Sequence, residues 1–240
     1  MTWFKKLSQP TVFFASPGDV AGIRQRLLRD FDLLKWSVAD HYNIQPYSWE
    51  MEMEASSTGF NAWQPIQAQI ALPDYPFCRA VVLVIGERIG SPLDRSYPFE
   101  QEIDEKVKAS KDGDHLVIEW EKSTDNTDFP LTGTVFEYLS AIKANKQRLA
   151  EDRTPIPVLV LVCNKESLLD SLENYFSHDD YPLTQKAKEK LQSEDAYQQW
   201  KESEYIPQVS QLRNFLNYIR RNKGIQLKFI SNEEEASKLS

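Results

Sequence analysis

Strand-length apolar runs alternate along this chain with segments whose apolar residues recur every three or four positions. Residues 11–15 (TVFFA) are rich in aromatic and β-branched side chains and predict the first strand. After Ser16, Pro17, Gly18 and Asp19, the apolar positions Val20, Ile23, Leu27, Phe31 and Leu34 fall at helical spacing. Ser16 as N-cap, Pro17 at the first helical position and Asp19 three after Ser16 form a near-complete helix start signal. Residues 44–49 predict a second strand ending before Glu50. An acidic, small-residue loop follows over 51–59, then an amphipathic segment with Trp63, Ile66 and Ile70 on one face. Residues 80–85 (AVVLVI) are apolar without interruption, as expected of a parallel strand covered by helices on both faces.

Beyond that strand, 86–98 is a polar loop with glycine and proline, 99–111 reads as a charged, solvated helix, and 116–120 as an extra strand at an edge. Val135, Phe136, Leu139 and Ile142 predict a helix starting at Thr134, and Thr134 with Glu137 three residues later satisfies the capping-box pattern. Residues 156–163 give another buried strand, and the highly charged stretch 184–204 a surface helix. Ile206, Val209, Leu212, Leu216 and Ile219 mark a last helix. Arg220, Arg221 and Lys223 suit the negative end of its dipole, and Gly224 stops it before a final strand over 225–230. Strands alternating with helices predict βαβ units, hence a mostly parallel sheet with right-handed crossovers and helices on both faces. The expected organisation is one α/β domain over 10–230, with a charged helical insertion over 164–205 and a polar tail or linker over 231–240.

Composition narrows the function classes. The 240 residues include 12 Phe, 10 Tyr and 6 Trp, ample for a core, and a net charge of −8 argues against a nucleic-acid footprint, which needs a basic stripe. No apolar run approaches the roughly 20 residues that span a bilayer, and residues 1–10 lack the apolar region of a secretory signal. Cys78 and Cys163 sit at apolar strands and read as reduced core residues, so a cytoplasmic protein is the simplest fit. His41, His115 and His178 lie far apart with no partner at metal-ligand spacing. Neither the GxxxxGK[ST] phosphate loop nor the GxSxG elbow occurs.

Four stretches, in order, carry a family resemblance. They are Val12-Phe13-Phe14-Ala15-Ser16-Pro17-Gly18-Asp19-Val20; Tyr47-Ser48-Trp49-Glu50; the block from Gln64 to Ile70 followed by Val81 to Ile85 and Gly86-Glu87-Arg88-Ile89-Gly90-Ser91-Pro92; and Leu131-Thr132-Gly133-Thr134-Val135-Phe136-Glu137-Tyr138. Together they resemble the TIR-like domain found at the N-terminus of many bacterial STAND NTPases, over about residues 10 to 163 in register. No single motif is specific; the four in order are fairly so. The resemblance implies a flavodoxin-like (TIR-like) fold acting as an effector, fused to or served by a STAND NTPase or sensor module, and oligomeric when activated. The NTPase and sensor modules lie outside this sequence. The stretch 164–205 departs from the family pattern.

Many relatives in the wider TIR group cleave NAD+ between nicotinamide and ribose with one helical glutamate; carried over by position, it is Glu137. Nicotinamide leaves as a neutral base and positive charge develops on the ribose. A carboxylate facing that centre therefore suits the reaction without a second general acid. NAD+ enters as substrate, with no separate cofactor. Ligands of open α/β sheets lie outside the carboxyl ends of the strands. Ser16, Pro17, Gly18 and Asp19 would line that site, while capping by Ser16 and Asp19 is an equally good account of those two residues. Trp49 stacks on a ring or simply packs; Arg88 pairs with pyrophosphate or is a solvated loop arginine. Glu50 and Arg24 are lesser candidates. Two alternatives stay open: a non-catalytic self-association or adaptor module, and a nucleoside-processing transferase.

Overall fold

The structure, a computed structural model, describes residues 10–37, 45–47, 78–92, 102–104, 107–112, 115–120, 128–164, 166–172, 181–191, 193–222 and 224–230. In chain order the described elements are β1 (Thr11–Ala15), α1 (Ala21–Ser37), β2 (Gln45–Tyr47), β3 (Cys78–Ile85), β4 (Glu102–Asp104), β5 (Val107–Asp112), β6 (His115–Trp120), β7 (Phe129–Pro130), α2 (Gly133–Ala150), β8 (Val158–Val162), α3 (Pro182–Leu191), α4 (Glu194–Trp200), α5 (Ile206–Arg221) and β9 (Ile225–Phe229). Trp49, Glu50, the 51–59 loop, Trp63, Ile66, Ile70, Lys223, residues 93–98 and the 231–240 tail lie outside the described residues, as does the side chain of Leu34.

Five strands form a sheet in the order β2-β1-β3-β8-β9, every neighbouring pair parallel. The period-2 alternation of strand side chains divides its apolar residues between two faces. Phe13, Leu83, Ile85, Val160 and Val162 face α2 and α5, in a core that includes Val135, Tyr138, Leu212 and Leu216. Val12, Phe14, Val84 and Leu161 face the other way, onto Val20, Leu27 and Phe31. Helices therefore cover both faces, which is why 80–85 has no polar interruption. Each fully buried Val or Leu here contributes about 1.5–3 kcal/mol. Asn145 fixes the approach to β8: its side chain donates to the Ile156 carbonyl and accepts from the Ile156 N–H, both at 2.8 Å.

A second, antiparallel sheet in the order β4-β5-β6-β7 replaces the helix expected over 99–111. Charge density is the same in a solvated helix and a solvated strand, so it does not choose between them. Pairing does: Val107 stands opposite Trp120 and Ala109 opposite Ile118, against the strongly β-forming run HLVIEW. That run is not at an edge, because β6 pairs with β5 on one side and β7 on the other. Ile118 and Phe129 carry this sheet into the core shared with α2 and α5. Phe129 packs its ring 5.2 Å from Phe215, and Tyr138 meets Phe215 edge-on at 5.4 Å.

The charged stretch 184–204 is several helical pieces rather than one. Between α4 and α5, residues Lys201–Tyr205 wind as a π-turn, with the Ile206 N–H reaching back to the Lys201 carbonyl. Pro207, in the first turn of α5, supplies the cause: it lacks an N–H and its ring crowds the carbonyl four residues back. Although most described side chains of 184–204 are exposed, the flanking Tyr181 and Tyr205 are buried in the main core with Trp200 packed against it. No helix among the described residues is long and apolar enough to cross a membrane.

Candidate functional site

β1 and β3 are neighbours, yet the chain leaves them for opposite faces of the sheet. After β1 it enters α1, packed on the Phe14 face; between β3 and β8 it supplies α2, packed on the Phe13 face. The loops after the two strands thus diverge at a topological switch point, where open α/β sheets place their ligands. Here the loops meet directly. The Asp19 carboxylate accepts the Glu87 N–H at 3.1 Å through one oxygen, and its other oxygen lies 3.5 Å from Arg88 Nε. Gly86 makes the approach possible: a Cβ there would stand 2.4 Å from an Asp19 carboxylate oxygen and 2.6 Å from Val20. Burial raises the Asp19 pKa, opposed by Arg88 and by the N–H groups it accepts.

Thr132 closes the same end of the sheet from the other side. Its hydroxyl donates to the Ile89 carbonyl at 2.6 Å and accepts from the Val135 N–H at 3.2 Å, so one side chain both caps α2 and holds the 86–92 loop. Thr132, and not Thr134, is the N-cap, so Glu137 is not the far half of a capping box. The expected cap at Ser16 is also replaced. A 3₁₀ turn over Gly18–Val20 leads into α1 with no side-chain cap, and the Ser16 hydroxyl instead accepts from the Arg24 guanidinium.

Released from capping, Glu137 is buried, with 2% of its surface exposed. It belongs to a stripe of α2 made by Thr134, Glu137, Ala141, Ala144 and Arg148, all buried, beside the apolar stripe of Val135, Tyr138, Leu139 and Ile142. Small residues at 141 and 144 let the helix lie close where a carboxylate is also enclosed. Burial pushes the Glu137 carboxyl up to about 8, and Arg24 is the charge that opposes this. Arg24 is itself 2% exposed, and burial lowers its pKa while Glu137 raises it.

A second buried carboxylate stands in the loop after β3. Glu87 accepts the Leu183 N–H in the first turn of α3 at 3.1 Å and the Tyr205 hydroxyl at 3.0 Å. Its pKa is raised by burial, with these two donors and Lys186 opposing and Asp19 adding to the rise. Through Glu87 the 181–205 segment is bonded to the loop that Asp19 and Thr132 also hold.

Of the residues the sequence singles out, Ser16, Pro17, Asp19, Arg88 and Glu137 gather at the carboxyl end of β1 and β3, with Pro17 beside Gly90. Gly18 is exposed at that end, and Trp49 lies outside the described residues. Arg24 rises from lesser candidate to a buried charge that is bonded to Ser16 and acts on Glu137. A signal was present: Arg24 is four residues after Val20 and three before Leu27, inside the apolar stripe of α1, where an arginine needs a partner. Glu87, a polar residue after a strand-ending glycine, carries no such mark. No protein-family model, no curated protein and no solved structure matches this chain.

Proposed function

We propose that this chain is a TIR-like effector domain of bacterial immune or stress signalling that cleaves the nicotinamide–ribose bond of NAD+, with Glu137 as the catalytic carboxylate. The observation that carries this reading is the place of Glu137: a carboxyl group in the first turns of α2, beside the β1–β3 switch point and enclosed by protein, with the buried Arg24 as the charge that acts on it. Strand order supports the flavodoxin-like part of the reading, since the first strand lies between the second and third and the remaining two extend the sheet in sequence. With its carboxyl raised to about 8, Glu137 becomes the charged form as the pH rises toward and past that value, and that form faces an oxocarbenium-like ribose at low dielectric, where its attraction is largest. NAD+ is the substrate and no cofactor is required. Activation by assembly into a homo-oligomer, driven by a STAND NTPase or sensor module in the same chain or another, belongs to the same proposal.

The test measures nicotinamide release from NAD+ by protein held at high local concentration, wild type beside Glu137→Gln. Release by the wild type and a loss of about 100-fold or more in the variant are expected. Equal release by both proteins removes Glu137 from the reaction.

Burial of both Glu137 and Arg24 favours a second reading, a non-catalytic self-association module in which both serve the fold. Under it neither protein turns over NAD+ in any assembled state, and Glu137→Gln alters thermal stability and self-association only.

A further inference from the structure

The loop that follows β3 presents one guanidinium outward from an otherwise anchored stretch. Its anchors are spread along it: Asp19 accepts the Glu87 N–H, the Glu87 carboxylate accepts from the Leu183 N–H and the Tyr205 hydroxyl, and the Ile89 carbonyl accepts from Thr132. Gly86 lies against Asp19 and Val20, and Gly90 turns the chain at φ 97°, a conformation that suits glycine. Arg88 stands between these fixed points. Its Nε is buried and faces an Asp19 carboxylate oxygen at 3.5 Å, and the Asp19 side chain is 7% exposed. The Arg88 side chain is itself 41% exposed, and its two terminal nitrogens have no bonding partner among the described residues. An arginine kept for structure closes its fork on a carboxylate with two parallel bonds. Here neither buried atom of the pair, Asp19 Oδ1 or Arg88 Nε, is hydrogen-bonded, and an ion pair at this exposure adds little stability. What the arrangement provides is direction. The carboxylate behind Nε turns the Nη atoms away from itself, and there is room nearby: Gly18, next to Asp19, is exposed, and a Cβ there would meet nothing within 4 Å.

We infer that Arg88 is the diphosphate-binding residue of this site and that Asp19 is the positioning residue that aims it. This rests on the reading of the chain as NAD+-cleaving and names what that site selects. The diphosphate is the one joining the two nucleotides of NAD+, so a dinucleotide is preferred over nicotinamide riboside, which has the same scissile bond and no phosphate. A planar fork with unoccupied N–H donors matches phosphate oxygens two at a time. It stands at the β1–β3 switch point, where open α/β sheets place their ligands. Neighbouring charges are engaged elsewhere: Arg24 donates to Ser16, and Glu87 accepts from Leu183 and Tyr205. A guanidinium aimed before the ligand arrives also loses less freedom on binding. Asp19 acts on the ligand through Arg88.

The experiment compares nicotinamide release from NAD+ and from nicotinamide riboside by assembled full-length wild type, Arg88→Gln, Arg88→Lys and Asp19→Asn. Calorimetry adds the binding of ADP-ribose beside that of adenosine. The wild type is expected to favour NAD+. Arg88→Gln should raise KM for NAD+ about tenfold or more with kcat little changed, while KM for the riboside moves by less than about twofold. A rise shared equally by both substrates, or by neither, overturns the inference. Arg88→Lys, a point charge without the fork, recovers part of the affinity. Asp19→Asn keeps an acceptor for the Glu87 N–H and removes the charge behind Nε, so its direction is diagnostic. Loss of the seat weakens NAD+ binding about threefold. A carboxylate that merely repelled phosphate would bind NAD+ more tightly once neutralised, and that result overturns the role of Asp19. Should Asp19→Asn fail to fold, relaxation of the Arg88 Nε–H in the wild type replaces it: an ordered Nε supports the seat and a mobile one overturns it. Where no protein releases nicotinamide, the catalytic reading falls, and ADP-ribose still tests this site. Binding by the wild type that weakens about tenfold in Arg88→Gln, with adenosine unaffected, supports it; equal binding by both proteins, or none by the wild type, overturns it.

Discussion

A carboxyl group that is nearly all enclosed makes stability depend on pH in an unusual direction. Most folded-state carboxylates hold their charge more readily than in the unfolded chain, and stability then falls on acidification. Glu137 does the reverse, with a folded pKa of about 8 against an ordinary value of 4.5. Between those pH values the folded protein retains a proton that the unfolded chain has released. The stabilisation from this group is therefore complete below about pH 4.5 and declines as the pH rises through 8. Urea titrations of wild type and Glu137→Gln across pH 5 to 9 check this. The wild type should lose stability relative to the variant as pH rises, and parallel curves would show that Glu137 does not titrate in this window. Glu137 and Arg24 also show what single-residue reading can reach. Glu137 is three residues after Thr134, so the sequence offers a local partner first; only the tertiary position of Thr132 removes it. Arg24 was legible as a charge inside an apolar stripe, but its seat on Ser16 was not, because that hydroxyl reads locally as a helix cap.

Elements whose sequence carries a single periodic signal form as read. β1 occupies residues 11–15, the apolar run at 80–85 lies within β3, and α5 buries Val209, Leu212, Leu216 and Ile219 at helical spacing. Where two structures satisfy the same local pattern, long-range contacts decide. Within the 99–111 stretch, Glu102–Asp104 and Val107–Asp112 are strands because β6 offers a β-forming partner that outweighs the helical spacing of Phe99, Ile103 and Val107. The start of α1 has a cap-forming serine, but Arg24 claims its hydroxyl and leaves the turn to Gly18–Val20. Thr132 is the opposite case, a cap with a second duty. Thr132→Ala removes the acceptor for the Val135 N–H and the donor to the Ile89 carbonyl together. A loss of about 2 kcal/mol is expected, at the upper end for a helix cap, because a buried carbonyl also loses its partner. Thr132→Ser keeps both bonds and should recover most of the loss in a denaturant titration; equal losses in the two variants would show that the hydroxyl is not what holds the loop.

At the level of the molecule, alternation of strands and helices made the α/β class and the two covered faces legible. The second sheet and the docking of 181–205 were not, because both rest on pairings between distant segments. Glu87 is the side chain in which the second of these is most concentrated, with one oxygen on the Leu183 N–H and the other on the Tyr205 hydroxyl. Glu87→Leu leaves both donors buried without acceptors and should cost about 2–4 kcal/mol. Hydrogen exchange should quicken across 181–205 and at the 86–90 loop while the β1, β3 and β8 amides keep their protection. Exchange that quickens only at the loop would mean that the helices are held without Glu87. Tyr181, Trp200 and Tyr205 share the hydrophobic interior with the central strands, so the stretch they belong to is structural masonry and not a removable ornament. Shortening the gene by excising it would strip one wall from the interior and yield an aggregating polypeptide.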